Sequence, residues 1–169
     1  MLEILEDLGV SVALKGHTVE LCAAGLRKTR LHPDLCRRVR SSILFAGPLS
    51  ARHGRATLFP PGGDVIGRRR VDTHLEGLSA LGIQSEADGH YTFRRRFLRG
   101  TDLVLDEASV TATENIVMAA VLAEGTTTIF NAACEPHVQD LCCLLNKMGA
   151  DILGIGTNRL IIEGVGALH

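Results

Sequence analysis

The chain has 169 residues, of which 46% are hydrophobic and 22% charged, with a formal net charge of −1. This is the balance of one ordinary globular domain, and it argues against a polyanion such as nucleic acid and against an anionic membrane surface as partner. The sequence has no tryptophan and few aromatic residues, and its apolar runs are too short to span a membrane. The acidic N-terminus is unlike a signal peptide, and five cysteines without CxxC spacing indicate reduced thiols, so we expect a cytoplasmic protein.

Three similar segments, at residues 5–10, 78–83 and 145–150, divide the chain into repeats of about seventy residues. Each segment predicts a helix end closed by glycine, the residue favoured just past a helix C-terminus. Each is followed by two short alternating segments around a Gly- or Asn-containing turn, the pattern of a β-hairpin. The predicted hairpin strands are residues 10–14 and 18–21, 83–87 and 91–93, and 151–153 and 159–162.

Two stretches rich in small residues, 41–52 and 113–123, predict helices that lead past a glycine into strands at residues 55–59 and 126–130. The repeating unit is therefore helix–strand–strand–helix–strand. It occurs about two and a half times, and the first unit is incomplete.

The predicted inner helices carry two local signals. The Gly47-Pro48 pair lies inside the first of them, where proline costs about 3 kcal/mol or more, so we expect a kink or break. A loop between two shorter helices is an equal alternative. The second, at 113–123, is apolar nearly all round and should be buried, with Ser109 or Thr111 as its cap.

A long loop joins the predicted strand at 55–59 to a predicted helix at 72–81. It holds two prolines, several glycines, Asp64 and the arginines 68–70. Its length indicates a working loop, its glycines allow close backbone approach to a ligand, and its arginines suit phosphate or carboxylate. The alternatives from the residues alone are an ordinary turn aspartate and a solvated charged turn.

A second arginine, Arg40, is predicted to lie on one helix with Arg37. From the residues alone it is either a ligand contact or part of a solvent-facing stripe.

The segment PGGDVIGRRRVDTHL at 61–75 resembles the catalytic-loop signature of the EPSP synthase-like enolpyruvyl transferases, in particular those that act on UDP-N-acetylglucosamine. The segments SVTATEN, LAEGTT and NAACEP, which begin at residues 109, 122 and 131, are similar to later blocks of that family in the same order. The resemblance implies an α/β fold of the inverse α/β barrel, or prism, type. It also implies that residues 1–169 are one domain of about two and a half repeat units, with a second domain absent.

The reaction implied by the resemblance transfers the enolpyruvyl group of phosphoenolpyruvate to the 3′-hydroxyl of UDP-N-acetylglucosamine and releases phosphate. This reaction is the first committed step of peptidoglycan synthesis, which builds the cell wall and maintains cell shape. The implied partners are these two substrates, and either the missing second domain or another copy of the chain. No cofactor and no metal are expected.

The resemblance also assigns roles to single residues. Asp64 falls where most members have the cysteine that fosfomycin attacks, which implies an acid at the catalytic position and resistance to that drug. Arg40 and Arg69 fall on arginines that hold the phosphate and carboxylate of phosphoenolpyruvate. The segments implied to contact the nucleotide are Arg70, Val71, Asp72 and Thr73 at the uridine, and Ser109, Val110 and Thr111 at the pyrophosphate and uracil.

The chain departs from the family pattern at Arg70, where proline is common, at Glu107, where a lysine stands near the diphosphate, and at Cys134, where an arginine stands. The family's N-terminal Lys-Asn pair and the other domain's aspartate base have no counterpart here. Three alternatives therefore stay open: a non-catalytic fragment that binds a UDP-sugar, a structural fragment without ligand, and a related transferase acting on another nucleoside.

Overall fold

A computed structural model describes residues 1–63 and 70–169. The α-helices are Leu2–Leu8 (α1), Pro33–Arg38 (α2), Ala46–His53 (α3), Asp72–Ala80 (α4), Val110–Ala120 (α5) and Pro136–Lys147 (α6). The β-strands are Ser11–Lys15 (β1), Thr18–Cys22 (β2), Arg55–Leu58 (β3), Ile83–Ala87 (β4), Tyr91–Arg95 (β5), Asp102–Val104 (β6), Thr126–Phe130 (β7), Asp151–Leu153 (β8) and Arg159–Glu163 (β9). Short 3₁₀ helices cover Ala23–Gly25 and Arg40–Phe45.

The strands form three sheets that repeat one plan. Their strand orders are β1-β2, β3-β5-β4 and β6-β7-β9-β8. Each contains one predicted hairpin, β1–β2, β4–β5 or β8–β9, and all three hairpins are antiparallel as expected. In the second and third sheets the strand that follows an inner helix, β3 or β7, pairs antiparallel with the second hairpin strand. The predicted helix–strand–strand–helix–strand unit is thus confirmed.

The helix ends of the three units are nearly identical in backbone conformation. Gly9, Gly82 and Gly149 have φ of 99°, 96° and 97°, in the left-handed region that glycine adopts without a steric penalty. Each glycine N–H donates to the carbonyl three residues before it, at 3.0, 2.9 and 3.1 Å. The predicted glycine closures are therefore confirmed.

Alanine at two of these closures should have unequal effects. At Gly149 an added Cβ would lie 3.5 Å from its nearest neighbour, a His169 side-chain atom, so only the left-handed φ opposes Gly149→Ala, at about 1–2 kcal/mol. At Gly9 the Cβ would lie 2.5 Å from the backbone oxygen of Gly25, so Gly9→Ala should cost about 1–3 kcal/mol more. Urea unfolding of both variants checks this, and equal losses would contradict the close approach of Gly9 to Gly25.

The predicted helix at 41–52 is two helices of different type, so the expected break is present, but it lies between Phe45 and Ala46, just before Gly47-Pro48, and no loop separates the two helices. The 3₁₀ helix Arg40–Phe45 passes directly into α3 at Ala46. Pro48 therefore lies in the first turn of α3, where a missing N–H costs little. The Gly47-Pro48 pair therefore marks the start of a helix rather than an interruption inside one.

The other inner helix, α5, is longer at its N-terminus than expected, since it begins at Val110 and ends at Ala120. As expected, it is almost wholly buried, including the polar residues Thr113 and Asn115. It packs against α3 and α4. Its start and that of α4 therefore lie near one another, with the core beneath them.

The strand β6 was not predicted, because it has only three residues and only Leu103 among them is buried. It runs parallel to β7, and its loop to α5 leads into the candidate site. The second sheet has a shorter counterpart, a parallel bridge between Arg30 and Thr57 next to β3.

The first unit is more open than the other two. Every residue of β2 is exposed, and within residues 1–63 and 70–169 no strand pairs with its second edge. An apolar cavity of about 330 Å³ also opens beside α1, α3 and α5. It is lined by Met1, Leu5, Leu44, Phe45, Pro48, Glu114, Met118 and Leu141.

Within the described ranges, no helix has the length and hydropathy needed to cross a membrane.

Candidate functional site

Three segments that are distant in sequence meet at one end of the inner helices. They are the start of the 3₁₀ helix at Arg40, the residues that lead into α4, and the first turn of α5. Arg40 Nη2 donates to the backbone oxygen of Arg70 at 2.9 Å. His74 Nε2 lies 3.1 Å from Thr111 Oγ1, which links α4 to α5. The structure therefore brings together most of the residues that the sequence assigned to a ligand.

The side chain of Arg70 is part of a charged network at this place. Its Nε donates to Asp72 Oδ2 at 2.7 Å, and its Nη1 lies 3.5 Å from Asp106 Oδ2. Thr73 Oγ1 donates to Asp106 Oδ1 at 2.6 Å. Because these ion pairs are largely solvent-exposed, they contribute little to stability, but they fix where the two carboxylates point.

The network shifts two pKa values. The hydrogen bond from the Thr73 hydroxyl, aided by the nearby Arg70 charge, holds the pKa of Asp106 below its ordinary value. The hydrogen bond and charge of Asp72 raise the pKa of Arg70. Both shifts favour the ionised forms of Asp106 and Arg70, and the Asp106 carboxylate keeps lone pairs that can accept hydrogen bonds from ligand hydroxyls.

Arg40 does not share a helix with Arg37, and that prediction is wrong. The helix α2 ends at Arg38, and Val39 is extended, with φ −147° and ψ 130°. Arg40 therefore begins a new 3₁₀ helix, which contacts α5. Its position next to Arg70 rather than along α2 removes the solvent-facing stripe as an interpretation of this residue.

Both described ends of the long loop lie against Arg40. Gly62 N–H donates to the Cys36 carbonyl at 3.0 Å, and Gly63 N–H donates to the Arg37 carbonyl at 3.2 Å. A Cβ on Gly63 would lie 3.3 Å from the backbone nitrogen of Arg40. The predicted catalytic Asp64 and the predicted ligand Arg69 lie outside the described residues.

The remaining predicted residues differ in what they do. Val71 and Ser109 occupy the N-cap positions of α4 and α5, and neither makes a side-chain cap bond. The Ser109 carbonyl instead accepts from Thr113 Oγ1 at 2.8 Å. Val110 packs against the core, so its contribution to a ligand contact would come from the backbone.

Sequence reasoning missed Asp106, and it assigned no ligand contact to His74. The pattern could have indicated Asp106, because it follows a buried leucine at the end of β6, just before a helix start. The buried pairing of His74 could not be read from spacing, because its partners Thr111 and Asn115 are 37 and 41 residues away.

The site combines groups suited to one kind of ligand. The N-terminal ends of α4 and α5 carry positive partial charge, and Arg40 adds a full charge beside them. The Asp72 and Asp106 carboxylates stand at the same place as hydroxyl acceptors. The arrangement is therefore a candidate binding site for an anionic ligand that also carries hydroxyl groups.

The chain is a repeat-built α/β protein with a candidate ligand site at one end of its inner helices, and known proteins identify the class more closely. The model of the EPSP synthase (3-phosphoshikimate 1-carboxyvinyltransferase) family matches residues 1–169. The chain therefore belongs to that family.

The curated relatives carry one name. The chain is 58% identical over 170 residues to a UDP-N-acetylglucosamine 1-carboxyvinyltransferase from Treponema pallidum, and 48% identical over 177 residues to one from Bacteroides fragilis. Each alignment covers 100% of this chain. The chain spans about 40% of the length of these relatives. The predicted resemblance is thus confirmed.

The solved structures confirm the predicted fold class, the inverse α/β barrel with an incomplete first unit. The enolpyruvyl transferase NikO from Streptomyces tendae superposes with a TM-score of 0.80 at 25% identity, over 99% of this chain and 40% of that one. An EPSP synthase from Acinetobacter baumannii superposes with a TM-score of 0.75 at 23% identity, over 99% of this chain and 39% of that one, and shows the fold alone.

Proposed function

We propose that the protein containing these residues transfers the enolpyruvyl group of phosphoenolpyruvate to the 3′-hydroxyl of UDP-N-acetylglucosamine, with release of phosphate, for peptidoglycan synthesis. The observation that carries this is the 58% identity, over the whole chain, to a relative of that name, and the meeting of three segments around Arg40 supports it. The reaction uses only substrates that carry their own leaving group, so the proposal includes no cofactor. Its location would be the cytoplasm, in keeping with five free cysteines.

The described side chains support distinct parts of this reaction. Arg40, next to two helix starts, would hold the phosphate of phosphoenolpyruvate as it leaves, with Arg69 as its partner. Thr73 and the Asp72 carboxylate would face the uridine, together with Arg70 and Val71. The start of α5, with Ser109, Val110 and Thr111, would face the pyrophosphate through its N–H groups.

Asp64 would serve as the acid or acid relay that brings a proton to the methylene carbon of phosphoenolpyruvate. Both described loop ends lie against Arg40, which supports a loop anchored beside the departing phosphate. A carboxylate cannot form the stable thioether that fosfomycin makes with cysteine, so we also propose resistance to that drug.

The catalytic site would be completed by parts of the protein outside this chain. The chain spans about 40% of its relatives, and we propose that residues 1–169 form most of one domain while a second domain supplies the remaining base and arginines. The open edge of β2 and the apolar cavity beside α1 support this, because the equivalent places in the other two units are filled by a strand and an inner helix.

A chimera provides the direct test. Residues 1–169 would replace the matching segment of the Treponema pallidum relative, and phosphate release from phosphoenolpyruvate would be measured with UDP-N-acetylglucosamine. We expect an active enzyme in which Asp64→Ala lowers kcat at least about a hundredfold. Arg40→Ala should raise the KM for phosphoenolpyruvate by about tenfold to a hundredfold, the effect of losing a charged hydrogen bond.

The matched control is Arg38→Ala, because Arg38 is an exposed arginine whose side chain pairs with Glu3 at 2.6 Å rather than with Arg70. It should leave both kinetic constants within about twofold. An Asp64→Ala chimera with unchanged kcat would contradict the catalytic role of Asp64.

Fosfomycin should not modify the chimera but should alkylate its Asp64→Cys variant, and mass spectrometry of the treated proteins measures both outcomes.

The same chimera separates the alternatives. A panel of UDP-N-acetylglucosamine, UDP-glucose, uridine and 3-phosphoshikimate would show which acceptor supports phosphate release. Turnover with another nucleoside alone would favour the related transferase, for which the chain-specific Arg70 and Glu107 are the sequence argument. Binding of UDP-N-acetylglucosamine without turnover would favour a binding fragment, and no binding a structural one.

A further inference from the structure

A buried side chain completes the junction between the 3₁₀ helix and α3. In an uninterrupted α-helix the N–H of residue 47 would donate to the carbonyl of residue 43. Here the Asn115 carboxamide pairs with both groups: its Oδ1 accepts from Gly47 N–H at 2.7 Å, and its Nδ2 donates to the Ile43 carbonyl at 2.8 Å. Asn115 is fully buried, and a Cβ on Gly47 would lie 2.3 Å from its backbone oxygen. The start of α3 is thus fitted to this one amide.

The orientation of Asn115 is fixed by His74. The second hydrogen of Asn115 Nδ2 points to His74 Nδ1, 3.1 Å away. Since Nδ1 must then be the acceptor, the ring proton is on Nε2, which donates to Thr111 Oγ1. His74 is only 2% exposed, so water does not compete for either nitrogen. One neutral tautomer therefore satisfies Asn115 and Thr111 together.

These two residues join the three segments of the candidate site. Asn115 holds the 3₁₀ helix that begins with Arg40, through the carbonyl of Ile43. His74 directly follows Thr73 at the start of α4 and contacts Thr111 at the start of α5. Neither residue reaches the surface where a ligand would bind.

We propose that His74 and Asn115 are positioning residues that set Arg40 and Thr111 relative to the start of α4, and thereby set the affinity of the site for phosphoenolpyruvate. The inference rests on the proposed function for the identity of the ligand. In this inference the buried pair determines the geometry of the site, because Asn115 holds the 3₁₀ helix that carries Arg40.

Two substitutions at one position test the pair. In His74→Asn, the amide oxygen takes approximately the place of Nδ1 and still accepts from Asn115. In His74→Gln, the longer amide reaches the place of Nε2 and Thr111, but no acceptor remains for Asn115. Phosphoenolpyruvate is titrated into the 169-residue chain and its variants, and affinity is read from the backbone amide signals of Arg40 and Thr111 in NMR spectra.

We expect His74→Gln to weaken binding about tenfold and His74→Asn to stay within about threefold of the parent. In an Arg40→Ala background the two His74 variants should bind alike, because the residue through which they act is gone. Without ligand, the Arg40 and Ser41 amide signals should move in His74→Gln and stay near the parent positions in His74→Asn.

The inference is overturned if both variants bind as the parent does, if both lose affinity equally, or if the losses add to that of Arg40→Ala. Unmoved Arg40 and Ser41 signals in His74→Gln overturn it even if the chain alone binds no phosphoenolpyruvate. The proposed function fails separately, if the chimera releases no phosphate from phosphoenolpyruvate with UDP-N-acetylglucosamine while the Arg40 and Ser41 signals of His74→Gln still move.

Discussion

Replacing Asn115 by leucine should lower the free energy of unfolding by about 4 kcal/mol, although leucine has a similar shape and fills the same space. The loss arises because the Gly47 N–H and His74 Nδ1 lose their hydrogen-bond partner in the core, and the Ile43 carbonyl keeps only the Ala46 N–H as a donor. Each buried group left without a partner costs about 1–3 kcal/mol. Since small domains are stable by only about 5–15 kcal/mol, much of the stability depends on one amide. Urea unfolding followed by circular dichroism measures the change.

Asn146→Leu provides the matched control for this experiment. Asn146 also pairs with a backbone N–H and a backbone carbonyl, both of Ile152, at 2.9 and 3.0 Å. It is only partly buried and its partner lies in β8, the edge strand of its sheet, so water can replace the lost bonds. We expect a loss of about 1 kcal/mol. Equal losses at the two positions would show that burial does not decide the effect, and would contradict the role given to Asn115.

Stability should fall steeply in acid because of His74. Burial, together with the nearby Arg40 charge, lowers the pKa of His74 from 6.5 to about 4. The unfolded chain therefore binds a proton at this residue before the folded chain does, so the free energy of unfolding decreases as the pH falls from 6.5 to 4. The decrease from this group is about 3 kcal/mol, complete below the folded pKa and absent above the unfolded one.

The comparison that isolates His74 is the difference between the parent and His74→Asn across this pH range. Contributions of the other histidines and of the carboxylates cancel in that difference, so the stability curve of the variant should be flatter by about 3 kcal/mol. Parallel curves would show that His74 is protonated as easily in the folded chain as in the unfolded one. A direct NMR titration of the His74 ring checks the pKa itself.

The repeat was readable from the sequence because its signals are local. Glycine at a helix end and alternation over four or five residues act within one turn or one hairpin, and Gly9, Gly82 and Gly149 adopt the expected conformation. The family blocks are also contiguous segments, so the resemblance identified the class correctly.

The errors lie where distant residues decide the local structure. The junction between the 3₁₀ helix and α3 depends on Asn115, which is 68 residues from Gly47, and no local sequence pattern indicates that contact. Arg40 was placed on the helix of Arg37 because periodicity does not show the extended Val39 between them. The strand β6 exists through its parallel pairing with β7, which its three residues alone do not signal.

The amide of Gly47 has a further consequence for measurement. An N–H in the first turn of a helix ordinarily has no partner in its own helix and exchanges with solvent as that helix end frays. At Gly47 the acceptor belongs to α5, deep in the core, so deuterium can enter only when two helices separate. The exchange rate of this one hydrogen would therefore report cooperative opening of the whole fold, from a position where exchange normally reports only local motion.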